Sequence, residues 1–122
     1  MKNIVARTPL RLGIAGGGTD VPPYVGQFGG LVLNSTISRY TYAFISLEVT
    51  KLKYEFVSME YDVSMSSDSF HEILSNDIPA PLVLHINAYH YVVKHYNNNN
   101  FFPIRLSTFS DVPKGSGLGS SS

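Results

Sequence analysis

The chain has 122 residues, 43% of them apolar and 15% charged, with zero formal net charge and no cysteine. That length is enough for one core-bearing domain. The neutral balance excludes the broad electrostatic attraction behind nucleic-acid or anionic-membrane binding, and the missing cysteines exclude disulfides, thiolate nucleophiles and cysteine-held zinc, which fits a reducing cytoplasm.

In chain order, NIVARTPLRLGIAG alternates apolar and polar residues and predicts an edge strand interrupted at Pro9. Arg7, Pro9 and Arg11 break this opening too often for a secretory signal, and nowhere does the chain reach the roughly 20 apolar residues of a membrane span. Residues 16–30 hold six glycines and two prolines, which predicts a loop with one helical turn at the prolines. LVLNSTISRYTYAFISLEV reads as one long strand, or two joined near residues 38–39, and KYEFVSMEYDVSM alternates again. That succession predicts an antiparallel meander. Pro81 suits a first helical turn, and Leu82, Ile86, Tyr89 and Val93 recur at helical spacing, with Val92 and Tyr96 on a neighbouring stripe. A helix is predicted from about residue 80 to 96, ended by the four asparagines, with FFPIRLSTFSDVP as a strand leading into DVPKGSGLGSSS. The predicted class is α+β, a mostly antiparallel sheet with one packed helix.

Two glycine-rich stretches carry chemistry. In the C-terminal one, Gly115, Gly117 and Gly119 let the backbone bend sharply, and Ser116, Ser120, Ser121 and Ser122 offer hydroxyls to an anion. Such a loop ordinarily feeds a helix whose first N–H groups point at phosphate oxygens. It is not the loop of common nucleotide hydrolases, because Lys114 precedes the glycines. A plain Gly/Ser linker competes, but a linker has no use for Leu118. In RLGIAGGGTD the dinucleotide-binding order G-x-G-x-x-G is absent, and VPPY would break the helix that order requires. A tight turn with positive φ competes here. Three missing side chains also make room for a ligand beside the backbone, and Thr19 and Asp20 add a hydroxyl and a carboxylate suited to a polyol.

The remaining polar residues say less by themselves. Arg11 alone is a surface arginine at a strand edge, and Asn34 is a polar strand residue. His85, His90 and His95 are five apart, about 140° around a helix at each step, so they cannot form the i, i+4 pair of a helical zinc site. Tyr40, Tyr42 and Phe44 alternate on a strand, and with no basic patch they suit core or adenine-side packing better than a base-stacking platform.

Taken together, TPLRLGIAGGGTDVPPYVGQFGGLVLNSTI and DVPKGSGLGSSS resemble the GHMP kinase superfamily. Its first motif is a proline-led strand, a glycine-rich turn with Thr-Asp and a Gly-Gly pair; its second is P-x-x-x-G-L-G-S-S. Within it, GGGTD followed by PPY looks most like the D-glycero-D-manno-heptose 7-phosphate kinases, with L-fucose kinases as the nearest alternative. Gly17 and Gly18 stand where galactokinases carry Glu-His, which disfavours galactose, and Ser122 replaces the usual alanine of S-S-A. Residues from about 45 to 100 match only as strands followed by a helix.

The resemblance implies the two-layer N-terminal domain of these kinases over residues 1–122, with a left-handed β-α-β crossover that departs from the usual handedness. It further implies that the chain is an N-terminal piece, roughly the first third of a kinase, partnered by the C-terminal remainder and catalytically inactive without it. Its cofactors would be ATP and Mg²⁺. Pro113, Gly115, Ser116, Gly117, Leu118, Gly119, Ser120 and Ser121 would wrap the phosphates, with Ser121 also at the metal and Asn34 on the nucleotide side. Arg11 would be catalytic, stabilising charge that develops near the acceptor hydroxyl. Asp20 would bind sugar hydroxyls in a pocket shaped by Gly16, Gly17, Gly18 and Thr19. The implied reaction is cytoplasmic phosphorylation of the anomeric hydroxyl of a heptose 7-phosphate, serving bacterial surface-carbohydrate precursors, with no nucleic-acid or membrane partner.

Overall fold

The computed structural model describes residues 2–47, 53–113 and 115–118. In chain order they form β1 (Lys2–Ala15), α1 (Tyr24–Phe28), β2 (Leu33–Leu47), β3 (Tyr54–Ser58), β4 (Val63–Ser67), α2 (Phe70–Ser75), α3 (Ala80–Tyr96) and β5 (Arg105–Ser110). The five strands make one sheet in the order β1-β2-β5-β3-β4, so the fold is α+β as the sequence predicts.

Two expectations are corrected. The strands are not a meander, because β5 inserts between β2 and β3. β3 and β4 form an antiparallel hairpin from Tyr54↔Ser67 to Ser58↔Val63, whereas β3 and β5 run parallel from Glu55↔Arg105 to Ser58↔Thr108. Parallel neighbours cannot be joined by a tight turn, and here the chain crosses through β4, α2 and α3. β1 also continues through Pro9 without a break. Its place at the end of the sheet explains this, since a missing N–H is tolerated where no strand waits to receive it.

The chain divides into two compact units. The first comprises residues 1–6 and 42–109. Its core is Tyr54, Phe56, Phe70, Ile73, Leu82, Ile86, Tyr89, Val93 and Ile104. Helix α3 contributes the stripe Leu82, Ile86, Tyr89 and Val93 that its spacing predicts, and β3 buries alternate residues Tyr54, Phe56 and Ser58. The Tyr89 hydroxyl donates to the Phe102 carbonyl at 2.6 Å and accepts from the Phe102 N–H at 3.1 Å. Burial pushes this phenol up to about 12. The Phe70 ring stacks on Phe101 at 4.8 Å and meets Tyr89 edge-on at 5.0 Å. Phe70 belongs to α2, a six-residue helix too short to show periodicity in sequence. The asparagine run ends α3 by conformation: Asn98 and Asn99 adopt positive φ of 50° and 61°, which asparagine tolerates better than most residues. Among the described residues no helix is long and apolar enough to cross a membrane.

The second unit comprises Arg7–Thr41 and residues 110–122. It buries little: Leu10, Ser110 and Val112 are its buried residues among those described.

Removing core volume in the first unit should be costly. Ile86→Ala is expected to lower stability by about 2–5 kcal/mol, whereas Leu84→Ala, at a 70% exposed position, should change it by less than about 1 kcal/mol; urea midpoints of the two variants check this. His85 adds a pH dependence. Its Nε2 lies 2.6 Å from the Thr108 hydroxyl, and burial holds its pKa below the ordinary value, partly offset by the nearby Pro81 carbonyl. Between the depressed folded pKa and the ordinary imidazole value near 6.5, the unfolded chain binds more protons. The His85 contribution is therefore full above that value and is lost as pH falls, and His85→Gln should flatten this acid limb in urea titrations run across pH.

Candidate functional site

The second unit holds both glycine stretches. β1 ends at Ala15, and the chain turns through Gly16, Gly17 and Gly18, with φ of 79° at Gly16 and 89° at Gly18. Thr19 fixes the turn. Its backbone N–H donates to the Gly16 carbonyl at 3.1 Å, and its hydroxyl lies 2.7 Å from that same carbonyl. The hydroxyl also sits 3.1 Å from the Leu31 carbonyl and accepts the Leu31 N–H at 3.1 Å. One side-chain oxygen thus ties the turn to the far end of its own loop. A Cβ on Gly16 would collide with the Leu31 carbonyl, and one on Gly30 with the Thr19 carbonyl. These glycines are required by close backbone approach, whereas Gly17 has open space around it. The Thr19 hydroxyl is thus engaged by backbone. Asp20 is exposed and makes no ion pair or hydrogen bond with the described residues, so its carboxylate is available to a ligand.

The second loop is anchored at its start. The Asp111 carboxylate accepts the Tyr40 N–H at 3.0 Å, while the Asp111 N–H donates to the Tyr40 carbonyl at 2.9 Å. The Arg7 guanidinium lies 4.4 Å over the Tyr40 ring, and Val112 is buried. Beyond the exposed Pro113, Gly115 and Gly117 take φ of 73° and 70° on either side of Ser116. Left-handed glycines on either side of one residue suit a backbone concavity that could receive an anion. The Ser116 hydroxyl oxygen is buried and meets no partner among the described residues. An unsatisfied buried hydroxyl inside such a loop fits a phosphate oxygen. Lys114, Gly119, Ser120, Ser121 and Ser122 lie outside the described residues, and with them the expected metal contact of Ser121.

Within this unit the Arg11 N–H donates to the Leu118 carbonyl at 3.5 Å, so the arginine strand runs beside the C-terminal glycine loop. Arg11 itself is exposed, as is Asn34 on β2. Sequence reasoning missed Tyr40, Asp111 and Leu31 as supports of the site. The only trace of them was the aspartate heading the last loop, because backbone partners leave no side-chain pattern. The histidines are scattered. His71 pairs with Ser75 and His85 with Thr108, while His90 lies against Phe70 and Phe101 and His95 against Tyr91. No group of three potential metal ligands occurs among the described residues.

Comparison with known proteins supplies the context for this geometry. The whole chain is 40% identical, over 127 aligned residues, to D-glycero-alpha-D-manno-heptose 7-phosphate kinase from Campylobacter jejuni, and spans 34% of that protein. The chain resembles the GHMP sugar kinases. A solved D-glycero-D-manno-heptose 1-phosphate kinase from Bacteriodes thetaiotaomicron matches 96% of the chain and 37% of its own length, at 33% identity and a TM-score of 0.75. Galactokinase from Lactococcus lactis, solved with galactose, shares the fold at 18% identity and a TM-score of 0.65, over 98% of this chain and 29% of its own. No family model matches. The chain thus spans about a third of the length of the relatives it matches.

The loop closure makes a direct prediction. Thr19→Val should destabilise the second unit by about 1–3 kcal/mol by orphaning the Leu31 N–H, and Gly16→Ala by a similar amount through strain and collision. Gly17→Ala should stay within about 0.5 kcal/mol. Amide exchange at Leu31 reads all three: it should quicken in the first two variants and hold in the third.

Proposed function

We propose that this chain supplies part of a GHMP-type sugar kinase that phosphorylates the anomeric hydroxyl of D-glycero-D-manno-heptose 7-phosphate. The observation that carries this is the run of β1 beside the C-terminal glycine loop, marked by the Arg11–Leu118 bond. The same strand leads, nine residues after Arg11, to Asp20. Phosphoryl transfer needs little covalent help from a protein; it needs a cradle for phosphate, a positioned hydroxyl and a cation where charge develops. The loop with the unsatisfied Ser116 hydroxyl suits the first, the Thr19-locked turn with Asp20 the second, and Arg11 the third.

ATP, with Mg²⁺ neutralising its phosphates, supplies the transferred group. Pro113, Gly115, Ser116, Gly117 and Leu118 would hold it through N–H groups and the Ser116 hydroxyl, continued by Gly119, Ser120 and Ser121, with Ser121 toward the metal and Asn34 on the nucleotide side. Asp20 would accept hydrogen bonds from sugar hydroxyls, and the bare backbone at Gly16, Gly17 and Gly18 would let the sugar approach. In the reaction the anomeric oxygen gains a bond to phosphorus as the bond to ADP breaks, and its proton leaves to a base that these residues do not supply. Arg11 would counter the charge that grows on the transferring group. The name of the 40% identical relative supports heptose 7-phosphate as the sugar. In this reading the reaction serves surface-carbohydrate precursor synthesis in the bacterial cytoplasm, in keeping with a chain without cysteine.

The test is coupled ADP release by the full kinase that contains this chain. Heptose 7-phosphate should turn over. Arg11→Ala should lower kcat by about 10²–10³-fold, and Asp20→Asn should raise KM for the sugar about tenfold or more without changing KM for ATP. Turnover of free L-fucose with none of the heptose phosphate would hand the site to the L-fucose kinase alternative.

A further inference from the structure

In a hydrogen-bonded antiparallel pair, two facing residues exchange main-chain N–H···O=C bonds. Tyr40 of β2 and Asp111, directly after β5, make this exchange with one substitution. The Asp111 N–H donates to the Tyr40 carbonyl at 2.9 Å, but the Tyr40 N–H donates to the Asp111 carboxylate, at 3.0 Å. A side chain stands in for the main-chain carbonyl. Regular pairing therefore stops at this residue, and the main chain is released to turn away.

The next donor is also taken by a side chain. The Val112 N–H donates to the Ser110 hydroxyl at 3.5 Å, and both residues are buried. Pro113 has no N–H. The N–H groups that an anion can use thus begin only after Pro113, where Gly115 and Gly117 take positive φ on either side of Ser116. Tyr40 is itself braced, by the Arg7 guanidinium 4.4 Å over its ring. Arg7, Tyr40 and Asp111 all belong to the second unit. The direction in which the loop departs therefore hangs on one acceptor at one reach. An asparagine amide oxygen would fill the same place, whereas a glutamate would carry its oxygens one carbon too far.

We propose that Asp111 is a positioning residue for the nucleotide: by accepting the Tyr40 N–H it sets where the phosphate loop leaves the sheet, and its charge takes no direct part. The proposal rests on the reading of that loop as the seat of the ATP phosphates, and not on which sugar is phosphorylated.

Three variants of the full kinase that contains this chain separate place from charge. Asp111→Asn keeps the acceptor and removes the charge, Asp111→Glu keeps the charge and moves the acceptor, and Asp111→Ala removes both. Each would be titrated calorimetrically with ADP and Mg²⁺, and KM measured for ATP and for the sugar. ADP affinity should fall about tenfold or more in the Glu and Ala variants and stay within about threefold in the Asn variant. KM for ATP should follow, while KM for the sugar changes less than about twofold. An Asn variant as weak as Ala, beside a Glu variant like wild type, would overturn the proposal in favour of a direct contact between the charge and the bound nucleotide. Equal rises in both KM values would overturn it in favour of general destabilisation. If Asp111→Ala fails to fold, the Asn and Glu variants decide. Wild-type kinase that binds no ADP would sink the reading of the loop itself, whereas wild type that binds ADP no better than Asp111→Glu does would sink the positioning role alone.

Discussion

The parallel pairing of β5 with β3 is the constraint from which much else follows. It requires a crossover, and α3 is long enough to provide one while burying Leu82, Ile86, Tyr89 and Val93 against β3. The return is fixed where the chain leaves α3. The Tyr89 hydroxyl holds both backbone groups of Phe102, and Phe101 stacks on Phe70. Those contacts set the direction of β5, and β5 hands the chain directly to Asp111 and the glycine loop.

The second unit is organised by different forces. It has few buried apolar residues and relies on backbone hydrogen bonds, a cation over a ring and glycines at close approach. Such contacts are directional and short-ranged, so they define loop shape well while contributing little cohesive energy. Large apolar side chains around them, including Phe28 and Leu31, stay 71% and 86% exposed, more than isolated surface hydrophobics would require.

How far the sequence was legible tracks the kind of signal each element leaves. Helix α3 was readable almost to the residue, because a strong stripe, a proline at its start and an asparagine run at its end agree. The insertion of β5 between β2 and β3 was not readable, since strand order depends on long-range pairing that no local pattern records. The continuity of β1 through Pro9 was missed because the cost of a proline depends on whether a neighbour needs its N–H. At the site, the glycine motifs and Thr-Asp were visible. The engagement of the Thr19 hydroxyl with Gly16 and Leu31 was not, and neither was the reciprocal Asp111–Tyr40 pair, because both have the main chain as partner.

The knot made by Thr19 has a bearing on recognition itself. A loop that must organise around its guest surrenders conformational freedom at the moment of capture, and affinity suffers accordingly. Here the sharp bend is held shut by the chain's own hydroxyl, so that entropic toll falls during folding. Under the proposed function, discrimination between candidate guests would rest on shape and on where Asp20 can reach, with little left to adaptation.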